Sequence, residues 1–245
     1  MAPKWRPVAG TAFHGFGGTA CYRGARVRSI AGGFLLILEG IGGSGKTTLA
    51  ELLREHLATE GWDIRASREP GATRLGGSLR SLLLAKDPIP APWTEAFLFE
   101  ADRAQTYHEV LRPALDEGAI IVSDRGPFGT IAYQAYGRGL DLRLIDDMSQ
   151  AAWAGTKPDL IIVVDVDARL GLSRKASSGE QDRFDDEDLA FTSRVREGYL
   201  FAASRSGPAA IVVDGSLPLS EVFEQVRTVT ASRLHERLKR SEQPR

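Results

Sequence analysis

Eight consecutive residues, Gly40-Ile41-Gly42-Gly43-Ser44-Gly45-Lys46-Thr47, carry the densest chemistry of this chain. They satisfy G-x-x-x-x-G-K-[ST], a spacing in which glycines let successive backbone N–H groups turn inward around an anion. In such a loop Lys46 reaches the β- and γ-phosphates of ATP, and the Thr47 hydroxyl ligates Mg²⁺. Thr48 follows in a helix whose positive end faces the same anion. A second cluster, Asp124-Arg125, closes the apolar run Ile120-Ile121-Val122-Ser123. There an acid can hold the metal and a guanidinium can face a substrate phosphate. Arg68, in Arg68-Glu69-Pro70-Gly71, is a further guanidinium able to clamp a phosphate with two parallel hydrogen bonds.

Positioning these groups takes a sheet. Short apolar runs at 34–38, 119–123, 160–166 and 209–213, with a weaker one near 62–67, have strand length. Helical periods lie between and around them at 46–60, 74–85, 94–117, 141–154, 167–176, 187–205 and 218–239. Nearly continuous apolar strands alternating with helices predict an α/β fold, a doubly wound, parallel, five-stranded sheet covered on both faces. The phosphate loop falls between the first strand and the first helix, as its mechanism requires.

Composition narrows the function. The chain has 245 residues, 42% hydrophobic, with 31 basic against 32 acidic side chains and a net charge of -1, which argues against coating nucleic acid. One cysteine, Cys21, cannot form an intrachain disulfide, and no apolar run is long enough to span a bilayer. A cytoplasmic protein with no membrane or nucleic-acid partner is expected. Residues 1–32 hold five basic side chains, no acid and glycines at 10, 15, 17, 18, 24 and 32. They are expected to form a disordered extension ahead of a domain at 33–240. A regulatory GTPase is disfavoured. Thr156-Lys157-Pro158-Asp159 matches T-K-x-D but precedes a strand instead of following one, and Asp124-Arg125-Gly126-Pro127 fails D-x-x-G.

From about Gly33 to Arg227 the sequence resembles the thymidylate kinases, P-loop enzymes that phosphorylate dTMP. Seven colinear segments carry the likeness: 38–48 (LEGIGGSGKTT), 67–76 (SREPGATRLG), 94–105 (TEAFLFEADRAQ), 112–125 (RPALDEGAIIVSDR), 132–140 (AYQAYGRGL), 157–167 (KPDLIIVVDVD) and 182–200 (DRFDDEDLAFTSRVREGYL). The resemblance implies that Phe99 lies against the acceptor's pyrimidine and that Arg103 donates to the base's O4. It implies that Thr130 hydrogen-bonds the base, that Gln134 lies near it, and that Tyr133 crowds the 2′ side of the sugar. Arg68 and Arg125 would hold the acceptor phosphate, with Asp124 supporting Mg²⁺. The stretch 174–186 resembles a mobile lid, with Arg174 and Arg183 placed to stabilise the transferring phosphoryl group. The loop Asp214-Gly215-Ser216-Leu217-Pro218 resembles the adenine side of the ATP site, and a homodimer using helices such as 94–117 is implied. Transfer to an ionised phosphate needs no general base, so His14, His56, His108 and His235 receive no catalytic role.

Four departures stand out. Gly42 occupies a phosphate-loop position that is commonly acidic in the resembling family. Gly126 replaces an aromatic or histidine, Gly129 replaces a serine, and Ala176 and Ser178 stand where lid arginines often lie. The glycines are expected to open space beside the acceptor. That leaves three readings: a dTMP kinase, a kinase for another or modified pyrimidine monophosphate, and a nucleotide-binding relative without turnover.

Overall fold

Both faces of β1 (Phe34–Glu39) are buried, which explains why it reads as an unbroken apolar run. Phe34, Leu36 and Leu38 pack into one hydrophobic cluster with α1 (Lys46–Thr59) and α9 (Leu219–Ser241). Leu35 and Ile37, pointing the other way, join a second cluster that contains Tyr107, Phe128, Phe191 and Tyr199. The computed structural model describes residues 28–177 and 182–241. No helix among the described residues is long and apolar enough to cross a membrane.

The sheet is parallel throughout, in the order β2-β3-β1-β4-β5. The remaining strands are β2 (Ile64–Arg68), β3 (Ile120–Asp124), β4 (Leu160–Asp165) and β5 (Ala210–Asp214). Each matches a predicted run within two residues. The register pairs Leu38 with Asp124 and Arg68 with Asp124, so three chemically active strand ends share one edge of the sheet. A crevice beyond the carboxyl ends of such strands is where open α/β sheets hold ligands.

Side-chain caps set several helix starts. Thr73 caps α2 (Arg74–Leu84) through Gly76 N–H, and Asp141 caps α6 (Leu142–Ala152) through Leu144 N–H. Asp188 caps α8 (Leu189–Arg205) through Phe191 N–H. α1 has no side-chain cap, which leaves the first N–H groups of α1 for a bound anion.

Three expectations need correction. The helix expected over 94–117 begins at Pro92 as α3 (Pro92–Thr106), widens into a π-helical turn at Tyr107–Leu111 and ends as α4 (Arg112–Asp116). Pro113 has no N–H for the carbonyl one turn earlier, and the wider turn precedes it directly. The stretch after β3, given no element by its Gly and Pro content, is helical. Pro127 starts α5 (Pro127–Thr130), which runs into a π-helical segment at Ile131–Gly137. Finally, the folded unit starts ahead of Gly33. Ile30 is 1% exposed, and Arg28 bridges to Trp62 with its guanidinium 3.7 Å from the indole centroid. The rest of the expected extension, residues 1–27, lies outside the described residues.

Candidate active site

The phosphate loop leaves β1 and is wedged between β4 and α7 (Ala168–Ala176). Gly43 adopts φ +75°, and a Cβ there would overlap the carbonyl oxygen of Gly171 in α7. Glycine is required twice over at this point, by conformation and by space. Lys46 is 6% exposed and donates from Nζ to Ile41 O at 3.2 Å. Burial, reinforced by Arg125, pushes its ammonium down to about 7. A bound phosphate would reverse that shift.

Asp124 closes the metal side. The Thr47 hydroxyl donates to Asp124 Oδ2 at 2.6 Å, while Asp124 Oδ1 is buried with no hydrogen-bond partner among the described residues. A hydroxyl and a carboxylate oxygen presented side by side are the hard ligands that suit Mg²⁺. Arg125 adopts a left-handed backbone (φ 76°), fixed by its N–H donating to Leu38 O and by the Ser123 hydroxyl donating to Arg125 O. Its Nη1 donates to Tyr199 OH at 3.0 Å. Beneath it, Glu39 is fully buried, accepts from Phe128 N–H, and is raised by desolvation to about 7 despite Arg125, Arg103 and Lys46.

One cavity of about 570 Å³ joins these groups to the other predicted residues. Lys46, Thr47, Arg68, Asp124 and Arg125 line it together with Phe99, Arg103, Thr130, Tyr133 and Gln134. Its size is that of a small-molecule site. Phe184 stands between Phe99 and Tyr133, with ring centroids 6.2 and 5.3 Å away, so three aromatic rings line the cavity together. A smaller cavity of about 240 Å³ lies on the opposite flank of the loop, bounded by Gly43, Ser44, Thr48, Gly215 and Leu217. This is the flank where the loop at 214–218 was expected to meet adenine.

Arg103 reaches the cavity already bonded. Nε donates to Glu69 at 2.9 Å, and Nη1 to Glu100 at 2.5 Å and Thr130 at 2.6 Å, with Ser149 at 3.3 Å, while Nη2 donates to Gly126 O at 2.9 Å. Burial works against its charge, but Glu100 and Glu69 outweigh that and hold it above the usual range. A guanidinium has five N–H groups, and these contacts leave one on Nη2 for a base carbonyl. Gln134 is likewise held by Glu95 at 2.7 Å.

Arg183 departs from its predicted place. It does not line the cavity but is 4% exposed, with Nη1 2.6 Å from Glu95, Nε donating to Leu83 O, and its guanidinium over the Phe184 ring. It anchors the segment instead of facing the phosphate loop. Arg174 lies at the boundary of the two cavities and donates from Nη1 to Gly215 O at 2.9 Å. Residues 178–181 of the expected lid lie outside the described residues.

Two of the glycine departures also resolve. Gly126 lines the cavity, and a Cβ on it would meet two Ile37 carbons at 3.0 Å, so a side chain there would press on β1. A Cβ on Gly129 would stand 3.7 Å from Tyr199 OH, an ordinary contact, so Gly129 does leave space. The sequence reading missed Arg80, Phe184 and Tyr199. Arg80 lines the cavity and donates to Pro70 O at 3.0 Å, but nothing in its local sequence separates it from a surface helix arginine.

A phosphate loop at the carboxyl edge of a parallel sheet, facing a metal-competent acid and a second cluster of cations, defines a P-loop phosphotransferase. The thymidylate kinase family model matches residues 38–226. The thymidylate kinase of Oleidesulfovibrio alaskensis is 42% identical over 205 residues, covering 80% of this chain and 96% of that protein. The thymidylate kinase of Nostoc punctiforme is 43% identical over 202 residues, covering 81% and 95%. The crystal structure of thymidylate kinase from Ehrlichia chaffeensis superposes with a TM-score of 0.67 at 30% identity, covering 81% of this chain and 99% of that one. The chain belongs to the thymidylate kinase family.

Proposed function

We propose that the protein transfers the γ-phosphoryl group of ATP to dTMP, giving ADP and dTDP. The observation that supports this is one cavity lined both by the phosphate loop and by Phe99, Tyr133 and Phe184, a lining suited to a donor triphosphate and an acceptor nucleotide. The acceptor base lies between Phe99 and the Tyr133 side, with the spare Arg103 N–H at its carbonyl. Arg68 and Arg125 hold the acceptor phosphate, and Lys46 spans the β- and γ-phosphates.

An acceptor phosphate oxygen bonds to the γ-phosphorus as the bond to the β–γ bridging oxygen breaks. The acceptor is already an anion, so no proton is removed and no covalent enzyme intermediate forms. The protein contributes alignment and fixed positive charge. Thr47 and Asp124 Oδ1 are the residues that would hold Mg²⁺, which when bound neutralises phosphate charge. Arg183 on Glu95 ties residues 182–186 to α3 beside the site. We propose also that two copies pair, since Phe97 on α3 is 58% exposed beside Trp93.

The test is ADP release with Mg-ATP against dTMP, dUMP, UMP, dCMP and 5-substituted dUMP analogues. Selective turnover of dTMP is expected. A preference for a substituted analogue would instead assign the space at Gly129 to a bulkier base, and ATP binding without turnover of any acceptor would overturn the kinase reading.

A further inference from the structure

We propose that Lys175 is the cation of α7 that contacts the transferring phosphoryl group, an assignment that rests on the kinase reading above. Its placement follows from how α7 docks. A Cβ on Gly171 would meet Ile41 Cδ1 at 2.7 Å and Gly42 O at 2.8 Å, so α7 lies directly on the phosphate loop there. Residue 175 is four positions on, one turn further along the same face. Its stem accordingly crosses the loop, with Cγ and Cδ each 3.9 Å from where a Gly42 Cβ would stand. Gly42 thus leaves the lysine a path over the loop into the cavity that holds Lys46, Asp124 and Arg125.

The neighbouring cations of α7 and the following segment are committed elsewhere. Arg174 donates to Gly215 O, toward the adenine flank, and Arg183 is buried on Glu95. The Lys175 ammonium lies 3.9 Å from Asp182 Oδ2, with both side chains about a quarter exposed. A pair at that distance and exposure is worth on the order of 1 kcal/mol or less. Lys175 and Lys46 line the same cavity, so both ammonium groups can meet one polyphosphate. Lys175 moves no proton. Its charge neutralises the equatorial oxygens while one P–O bond breaks and the other forms.

The experiment compares the unsubstituted full chain with K175M, K175A and K175R, measuring ADP release with Mg-ATP and dTMP and ATP affinity by calorimetry. Methionine keeps the apolar stem on Gly42 and removes only the charge. K175M and K175A are expected to lower kcat by about 100-fold or more, the scale of losing one preorganised charge-stabilising group. KM for dTMP and ATP affinity should stay within about threefold, because the interaction belongs to the transition state. K175R should recover most of the lost kcat. A K175M enzyme within about threefold of the unsubstituted kcat, or a K175R enzyme as impaired as K175M, overturns the assignment while leaving the kinase reading intact. Absence of turnover in the unsubstituted chain overturns both.

Discussion

Replacing Arg103 by methionine removes the centre of a buried ion cluster. The side chains of Arg103, Glu69 and Glu100 are 3%, 4% and 7% exposed, so neither carboxylate can recover its lost partner from bulk water. Breaking a buried pair costs about 3–5 kcal/mol. The upper part of that range applies, since two carboxylates lose one cation and Thr130, Ser149 and Gly126 O lose a donor. For a chain of this size 1 kcal/mol moves Tm by roughly 2–4 °C, so a drop of about 10–15 °C is expected near neutral pH.

The loss also carries a pH signature. Burial raises Glu69 from 4.5 to about 7 even with Arg103 opposing it, and removing that arginine raises it further. A carboxyl whose folded pKa exceeds its unfolded value binds more protons when folded. Its favourable contribution is complete below the unfolded pKa and is lost as pH rises through the folded one. In the parent chain the Glu69 contribution fades between 4.5 and about 7. In R103M the decline continues above that window, so the deficit relative to the parent widens with pH. Urea unfolding of both proteins at pH 5.5 and pH 8 measures it, with a smaller deficit expected at the lower pH. Equal deficits at the two values, or a loss below about 1 kcal/mol, would refute the claim that the cluster is a desolvated charge network.

Lys46 and Phe99 give two further tests. A lysine held near 7 is largely neutral at pH 8, and a bound phosphate restores its proton, so ATP binding at pH 8 should take up close to one proton in the parent and none in K46M. Calorimetry in buffers of different ionisation enthalpy reads this directly, and equal uptake in both proteins would sink the assignment; K46M should also abolish transfer while leaving the unfolding midpoint near that of the parent. Phe99→Ala should raise KM for dTMP by about tenfold or more, the worth of one base–aromatic stack, with KM for ATP nearly unchanged. Equal effects on both substrates would make Phe99 a packing residue only.

The legible parts of the sequence were those where local pattern and global role coincide. β1, β3 and β4 lie inside the sheet, so their uninterrupted apolar runs could hardly be anything but buried strands. The phosphate loop was legible for the same reason, since its glycines, lysine and threonine are all needed within one turn. The helical stretch at 127–137 was not, because its glycines and proline outweigh any helix signal until α8 is packed against it. A Cβ on Gly198 in α8 would lie 2.7 Å from Ala132 Cα, and such closeness is invisible in either segment alone. Arg183 and Lys175 show the limit most sharply. Composition places several cations after β4, but only the docking of Gly171 on the loop determines which face of α7 looks inward.

The same contrast separates the site from the rest of the core. Among the buried side-chain oxygens given no hydrogen bond by the described residues are those of Glu39, Ser67, Glu69 and Asp124, all at or next to the carboxyl ends of β1, β2 and β3, with Ser44 in the loop between. Burying a polar atom without a partner costs about 1–3 kcal/mol, and at the carboxyl end of β4 that cost is met by pairing Asp165 with Arg196. A sequence selected only for stability would replace Glu39 or Asp124 by a residue that packs. Retaining carboxylates there makes sense where they tune Lys46 and Arg125 and, at Asp124, offer an oxygen to a cation. The polar strand ends are therefore the part of the core built for binding, and they sit where the parallel sheet opens to solvent.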